Sequence, residues 1–180
     1  QTLKKQRRFC LVDFLAKLLV LLLPMYVANS TAMLFGGTTP IDFGKKFFDK
    51  KPVFGSGKTF RGAFVGIFLG TATAFLIQLF FPSISAVLST QYLLFGFLSS
   101  AGAIAGDITA SFFKRRSGIP QGTPVLFLDQ LDFVAGALIF GSAIFVPDFY
   151  ELIIIFAVTL VSHKLSNYIA FKAKLKKVPW

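Results

Sequence analysis

Asp129 and Asp132 stand three residues apart in a long apolar stretch. On a helix that spacing puts both carboxylates on one face, where they repel unless a cation or a proton lies between them. A divalent cation held by oxygen ligands relieves the repulsion, and Mg²⁺ typically takes one or two carboxylates together with substrate phosphates. An ion pair with Lys114 or Arg115 is the plainer alternative. Asp107 is a third acid within or beside an apolar run. Inserting a charge in such a place costs about 2.5–3.5 kcal/mol, which makes all three acids candidates for function.

The residues around Asp107 supply partners. In Gly106-Asp107-Ile108-Thr109-Ala110-Ser111-Phe112-Phe113-Lys114-Arg115-Arg116, helical phasing puts Asp107, Ser111, Lys114 and Arg115 on one face. A carboxylate, a hydroxyl and two cations there suit a metal-bound polyphosphate. Lysine acts as a point charge and arginine as a planar fork for phosphate oxygens. Membrane topology alone accounts for Lys114 and Arg116 as positive charges, but not for their phasing with Asp107.

A second candidate element reads Phe54-Gly55-Ser56-Gly57-Lys58-Thr59-Phe60-Arg61-Gly62. It is not a nucleotide-binding P-loop, because Pro52 stands where that motif needs its first glycine and a polar loop stands where it needs a strand. Glycine-rich backbone leading into a helix still offers amide donors to an anion. Asn29, Thr38, Thr39 and Asp42 add polar groups nearby. Asp13, Asp49, Asp148 and Glu151 read as solvated charges at span ends or in a basic loop. His163 reads as a satisfied buried or interfacial histidine. The single cysteine, Cys10, allows neither an internal disulfide nor a cysteine metal cluster.

The elements that must position these groups are membrane spans. Of the 180 residues, 54% are hydrophobic and 15% charged, against about 25% charged in soluble domains. Mean hydropathy is +0.70. Apolar blocks approach the roughly 20 residues a bilayer-spanning helix needs. The expectation is one all-α membrane domain over residues 1–180, with five spans: Leu11 to Ala32, Arg61 to Phe81, Tyr92 to Ile108, Val125 to Val146 and Glu151 to Ala170. Pro24 is expected to kink the first. The third is rich in Gly, Ala and Ser, which marks it as central to the bundle. Two long polar loops, Met33 to Phe60 and Thr109 to Pro124, lie between spans. Without a cleavage site before Asn29, the first apolar block is a retained span rather than a secretory signal.

The net charge of +11 fits a membrane protein's basic loops and anionic-lipid contacts, and a soluble nucleic-acid binder is excluded. Lys45, Lys46, Lys50, Lys51 and Lys58 lie in the first loop, Lys114, Arg115 and Arg116 in the second, and Lys172, Lys174, Lys176 and Lys177 in the tail. Five spans put all three groups on one side, the cytoplasmic side of the cell membrane. Lys4, Lys5, Arg7 and Arg8 fall on the other side, as an interfacial stretch or outvoted by the loops. Trp180 fits an interfacial anchor.

Ser111-x-x-Lys114-Arg115 followed by Asp129-x-x-Asp132 resembles the signature of the CTP:phosphatidate cytidylyltransferase superfamily, and Asp107 matches its Gly-Asp element. Two features depart from the bacterial and eukaryotic pattern: a shorter stretch between the elements, and Gln130 in place of an arginine. The compact size, Asn29, Gly36-Gly37-Thr38-Thr39-Pro40-Ile41-Asp42 and Gly57-Lys58-Thr59-x-Arg61-Gly62 resemble its archaeal branch, the CDP-archaeol synthases. The resemblance implies that CTP and an isoprenoid glycerol phosphate lipid, 2,3-bis-O-geranylgeranylglycerol 1-phosphate, react to a CDP-lipid and pyrophosphate with Mg²⁺ as cofactor. It implies metal binding by Asp107, Asp129 and Asp132, and phosphate binding by Ser111, Lys114 and Arg115. Asn29, Gly57, Lys58, Thr59 and Arg61 would close over the nucleotide. A transporter of an anionic nucleotide or phosphate compound is the alternative, although it often shows an internal repeat, and none is visible. A CDP-alcohol phosphotransferase is a nearer rival whose aspartate spacing differs.

Overall fold

The computed structural model describes residues 2–172, with side chains for 12–165, 168, 171 and 172. The side chains of Lys4, Lys5, Arg7, Arg8 and Cys10, and of Lys174, Lys176, Lys177 and Trp180, lie outside the described residues. Within them run six helices: α1 (Thr2–Leu34), α2 (Phe60–Phe80), α3 (Pro82–Leu88), α4 (Tyr92–Arg116), α5 (Leu128–Gly141) and α6 (Phe149–Lys172). The segments Val12–Leu34, Phe60–Phe80 and Tyr92–Arg116 are long and apolar enough to cross a membrane.

Small residues set the helix spacing. Gly62, Gly66, Gly70 and Ala74 recur every fourth residue along the buried face of α2. A Cβ on Gly66 or Gly70 would run into α1 at Ala28 or Pro24. The opposite face carries exposed Phe60, Phe64, Phe68 and Phe75, which suit lipid. Likewise α4 and α5 cross backbone to backbone, Gly102 and Gly106 lying against Gly136 and the Asp132 carbonyl. Packing of this kind replaces the hydrophobic effect as the force between helices in lipid. The fully buried Tyr92 donates its hydroxyl hydrogen to the Val20 carbonyl at 2.7 Å, tying α4 to α1. Pro24 is also fully buried inside α1.

Three expectations about element boundaries change. The third span does not stop at Ile108, because α4 continues to Arg116 and ends at Ser117 and Gly118, whose φ of +76° favours glycine. The fourth is shorter: α5 has 14 residues, about 21 Å at 1.5 Å per residue and less than a hydrocarbon core of about 30 Å. Pro124 precedes it, and Phe127 adopts a φ of 65° that a helix cannot continue through. Residues 82–88, expected as part of a short connection, form α3 with Pro82 at its first turn.

The long loop 35–59 is ordered by its own hydrogen bonds. Antiparallel bridges join Pro40 to Thr59 and Lys46 to Pro52. The buried Asp42 carboxylate accepts from the Gly44, Phe54 and Gly55 amides at 2.9, 2.9 and 3.0 Å. At the α4 end, Arg116 donates to Asp49 at 2.9 Å and to the Pro52 carbonyl. Its guanidinium lies over the rings of Phe47 and Phe112, and the Lys51 ammonium returns a bond to the Arg116 carbonyl at 3.1 Å. Glu151, expected to be a solvated boundary charge, instead pairs with Lys17 between α6 and α1.

Candidate active site

A cavity of about 770 Å³ lies where α1, α2, α4, α5 and α6 converge beneath the two long loops. Thr59 positions the first loop. It caps α2 with φ −117° and ψ 150°, its hydroxyl accepting from the Gly62 amide at 3.1 Å and the Gly37 amide at 3.0 Å. That geometry holds Gly57, Lys58 and Thr59 at the cavity wall. The Lys58 ammonium reaches across to Asp107 on α4, 2.6 Å from each carboxylate oxygen.

One and two helical turns beyond Asp107, Ser111 and Lys114 face the same space. Lys114 donates to Asp129 at 2.5 Å, and the other oxygen of Asp129 accepts from the Val125 amide at 3.0 Å. Asp132 lies one turn further along α5, with one oxygen on the Phe133 amide at 2.6 Å. It stands within electrostatic reach of Asp107, Asp129 and Lys58. Both the shared face and the alternative ion pair with Lys114 are therefore present.

Most sequence-derived candidates meet here: Asn29, Gly57, Lys58, Thr59, Asp107, Ser111, Lys114, Asp129 and Asp132 all line the cavity. Two arginines do not. Arg61 is exposed and packs against Gly37, whereas its helix neighbours Gly62 and Ala63 line the cavity. Arg115 is buried with its Nε lacking a partner, and it does not line the cavity. The hydroxyl of Thr59 is occupied by its cap.

The cavity continues into a region that no aspartate, lysine or arginine lines. Tyr26 of α1 donates to Thr159 of α6 at 2.9 Å, and Ser162 and His163 lie beside them. These residues carry no local motif, and only the packing of α1 near α6 brings them together. At the mouth, Gln121 of the second loop accepts from the Ser56 amide and hydroxyl at 3.2 and 3.1 Å.

The donor set can be tested against Mg²⁺. It consists of hard carboxylate oxygens, the type Mg²⁺ prefers. Among the described residues, no group of three acids, histidines or cysteines is placed to hold a metal ion by itself. Asp107 and Asp129 each face a lysine instead. An ion held here would therefore have to share its coordination with substrate phosphates, which would draw the lysines onto themselves. Two lysines against three aspartates also leave the wall with one negative charge uncompensated when all are ionised.

The model of CarS-like CDP-archaeol synthases matches residues 11–180, which contain every residue of this cavity. The chain belongs to the CDP-archaeol synthase family. It is 43% identical over 159 residues to the CDP-archaeol synthase of Pyrococcus abyssi, covering 88% of this chain and 94% of that one. The CDP-archaeol synthase of Methanocaldococcus jannaschii is 44% identical over 167 residues, covering 88% and 93%. A solved structure described as an intramembrane enzyme for archaeal membrane lipids biosynthesis superposes with a TM-score of 0.75 at 34% identity, over 83% of this chain and 91% of that one. The resemblance read from the motifs is borne out. Membership of the CDP-archaeol synthase family also sets aside the transporter and the CDP-alcohol phosphotransferase as readings of the site.

Proposed function

We propose that the chain transfers the cytidylyl group of CTP to the phosphate of an isoprenoid glycerol ether lipid, 2,3-bis-O-geranylgeranylglycerol 1-phosphate, with release of pyrophosphate. The observation that carries this reading is the convergence of Lys58, Asp107, Ser111, Lys114, Asp129 and Asp132 on one cavity at the end of membrane-spanning helices. Family membership supplies the reaction class. The charged wall suits the triphosphate, and the region around Tyr26, Phe133 and Thr159 suits the less charged parts of the substrates.

The reaction needs little acid–base help. An ionised lipid-phosphate oxygen attacks the α-phosphorus, the α–β phosphoanhydride bond breaks, and pyrophosphate leaves with the electron pair. Catalysis then reduces to alignment and charge neutralisation. Lys58 and Lys114 would leave their aspartates for phosphate oxygens, and the Ser111 hydroxyl would donate to one. The Gly57 amide would add a fixed donor without another charge. Asp107, Asp129 and Asp132 would hold Mg²⁺, whose charge offsets that of the triphosphate and polarises its P–O bonds. The site would open to the cytoplasm of the cell membrane, where CTP is available.

Incubating detergent-purified protein with Mg²⁺, the isoprenoid phosphate lipid and each nucleoside triphosphate in turn tests this. Pyrophosphate should appear with CTP and only when lipid is present. Release that ignores the lipid, or equal release from all four nucleotides, would sink the reading.

A further inference from the structure

Loop 35–59 carries a feature that the cavity does not use. Residues 43–50 are all exposed, and Phe48 is 96% exposed. Phe48 projects from a tight hairpin that closes through Phe47 N–H to the Lys51 carbonyl at 2.8 Å and Lys50 N–H to the Phe47 carbonyl at 2.9 Å. Lys45, Lys46 and Lys50, all exposed, stand within three residues of it along the chain. Phe48 packs edge-on against exposed Phe47 at 5.0 Å, and grouped exposed rings of this kind mark a protein or membrane contact.

Two other rings of the segment identify the contact. Phe43, 66% exposed, packs at 5.2 Å on Phe60, which begins the exposed Phe60–Phe64–Phe68 row of α2. On the other side, Phe47 meets Phe112 at 5.5 Å, next to exposed Phe113 at the end of α4. Residues 43–48 are therefore continuous, through Phe43 and Phe47, with aromatic residues on two membrane-spanning helices. Arg116 fixes the hairpin there through Asp49 and Pro52. Aromatic rings with adjacent lysines match the boundary between acyl chains and anionic headgroups, the rings taking the apolar side and the ammonium groups the phosphates.

We propose that the tip, Phe43 and Phe48 with Lys45, Lys46 and Lys50, is an interfacial docking surface for anionic lipid headgroups of the protein's own bilayer. It holds the loop that carries Lys58 against the membrane and concentrates phosphate-bearing lipid beside the cavity.

The sequence has a single tryptophan, Trp180, so a Phe48→Trp substitution in a Trp180→Phe background gives one reporter. The variant is placed in nanodiscs of phosphatidylcholine with or without phosphatidylglycerol, using acyl chains brominated near the headgroup. Emission should shift to the blue and be quenched in the discs containing phosphatidylglycerol. Changing Lys45, Lys46 and Lys50 to Gln should reduce the docked-to-free ratio by on the order of fivefold per lysine. Unquenched emission at an aqueous wavelength in both discs would overturn the proposal, and so would equal quenching with and without phosphatidylglycerol. Because the reporter reads insertion and not turnover, either result leaves the cytidylyl-transfer reading to its own assay.

Discussion

Three aspartates facing two lysines make the cavity wall selective by charge. A triphosphate entering this space with Asp132 ionised meets one more negative charge than the two lysines offset, so nucleotide and Mg²⁺ should bind interdependently. An Asp132→Asn change removes one negative charge while keeping the shape. If Asp132 only balanced charge, that variant would bind CTP better and turn over normally. As a metal ligand it should instead lower kcat on the order of 10²-fold and raise the Mg²⁺ concentration needed, measured by titrating Mg²⁺ at fixed CTP. Chelation should abolish turnover, with Mg²⁺ restoring it better than the larger Ca²⁺. Asp42 has a different role. Burial alone would raise its pKa, but the amides of Phe54, Gly55 and Gly44 outweigh this and hold the carboxyl below its usual 3.8. A lowered folded value means the carboxylate stabilises the loop above the usual range and loses that effect as pH falls through the lowered value. Amide signals of Phe54 and Gly55 should titrate together with a midpoint under 3.8, and a midpoint above it would reverse the sign. The Asp129–Asp132 pair was readable in the sequence because a spacing of three on one helix fixes the relation locally. Lys114 and Arg115 were not separable, since neighbours on a helix differ by about 100° and packing decides which one faces the cavity.

At the scale of elements, the site depends on how closely α4 and α5 approach. Asp107 and Lys114 ride on one helix and Asp129 and Asp132 on the other, and Gly106 lies under the Asp132 carbonyl. A Gly106→Ala change puts a methyl group against that backbone, where no flexible side chain can yield. It should cost about 1–3 kcal/mol, seen as a drop of several degrees in Tm, and kcat should fall further than the loss of folded protein explains. The loop side has its own control in Arg116. An Arg116→Lys change keeps the charge but loses the fork to Asp49 and Pro52, so the loop bearing Lys58 should loosen. The expected signature is a raised KM for CTP with Tm nearly unchanged, whereas a purely structural role would lower Tm with KM intact. Sequence periodicity identified the apolar blocks but misjudged their ends. Apolar character runs through Val125–Phe127, yet the φ of 65° at Phe127 delays α5 to Leu128. Conversely, polar Thr109–Arg116 read as loop because hydropathy reports lipid contact, while the backbone there continues as helix.

For the whole molecule, the arrangement of ends is decided by contacts between distant segments. Arg116 binds Asp49 and Gln121 binds Ser56, so the two long loops occupy one end of the bundle. α2 leaves that end and α4 returns to it, which places α3 and residues 89–91 at the other. Glu151 and Lys17 pair where α6 begins and where the first half of α1 lies, consistent with that opposite end. The lysine-rich end should face the cytoplasm, but the basic residues before Val12 compete for the same side. The competition has a measurable consequence. Single cysteines replacing the exposed residues Lys50, Gln121, Gln91 and Asp148, each in a Cys10→Ser background, report the side of each end. A membrane-impermeant maleimide added to intact spheroplasts should label the Gln91 and Asp148 positions alone, and inverted vesicles should expose the Lys50 and Gln121 positions. If the N-terminal charges prevailed, the pattern would invert and the cavity would open away from its nucleotide. If they balanced the loops, every position would label from both sides, and only the inward-facing fraction of the protein could turn over CTP supplied from the cytoplasm.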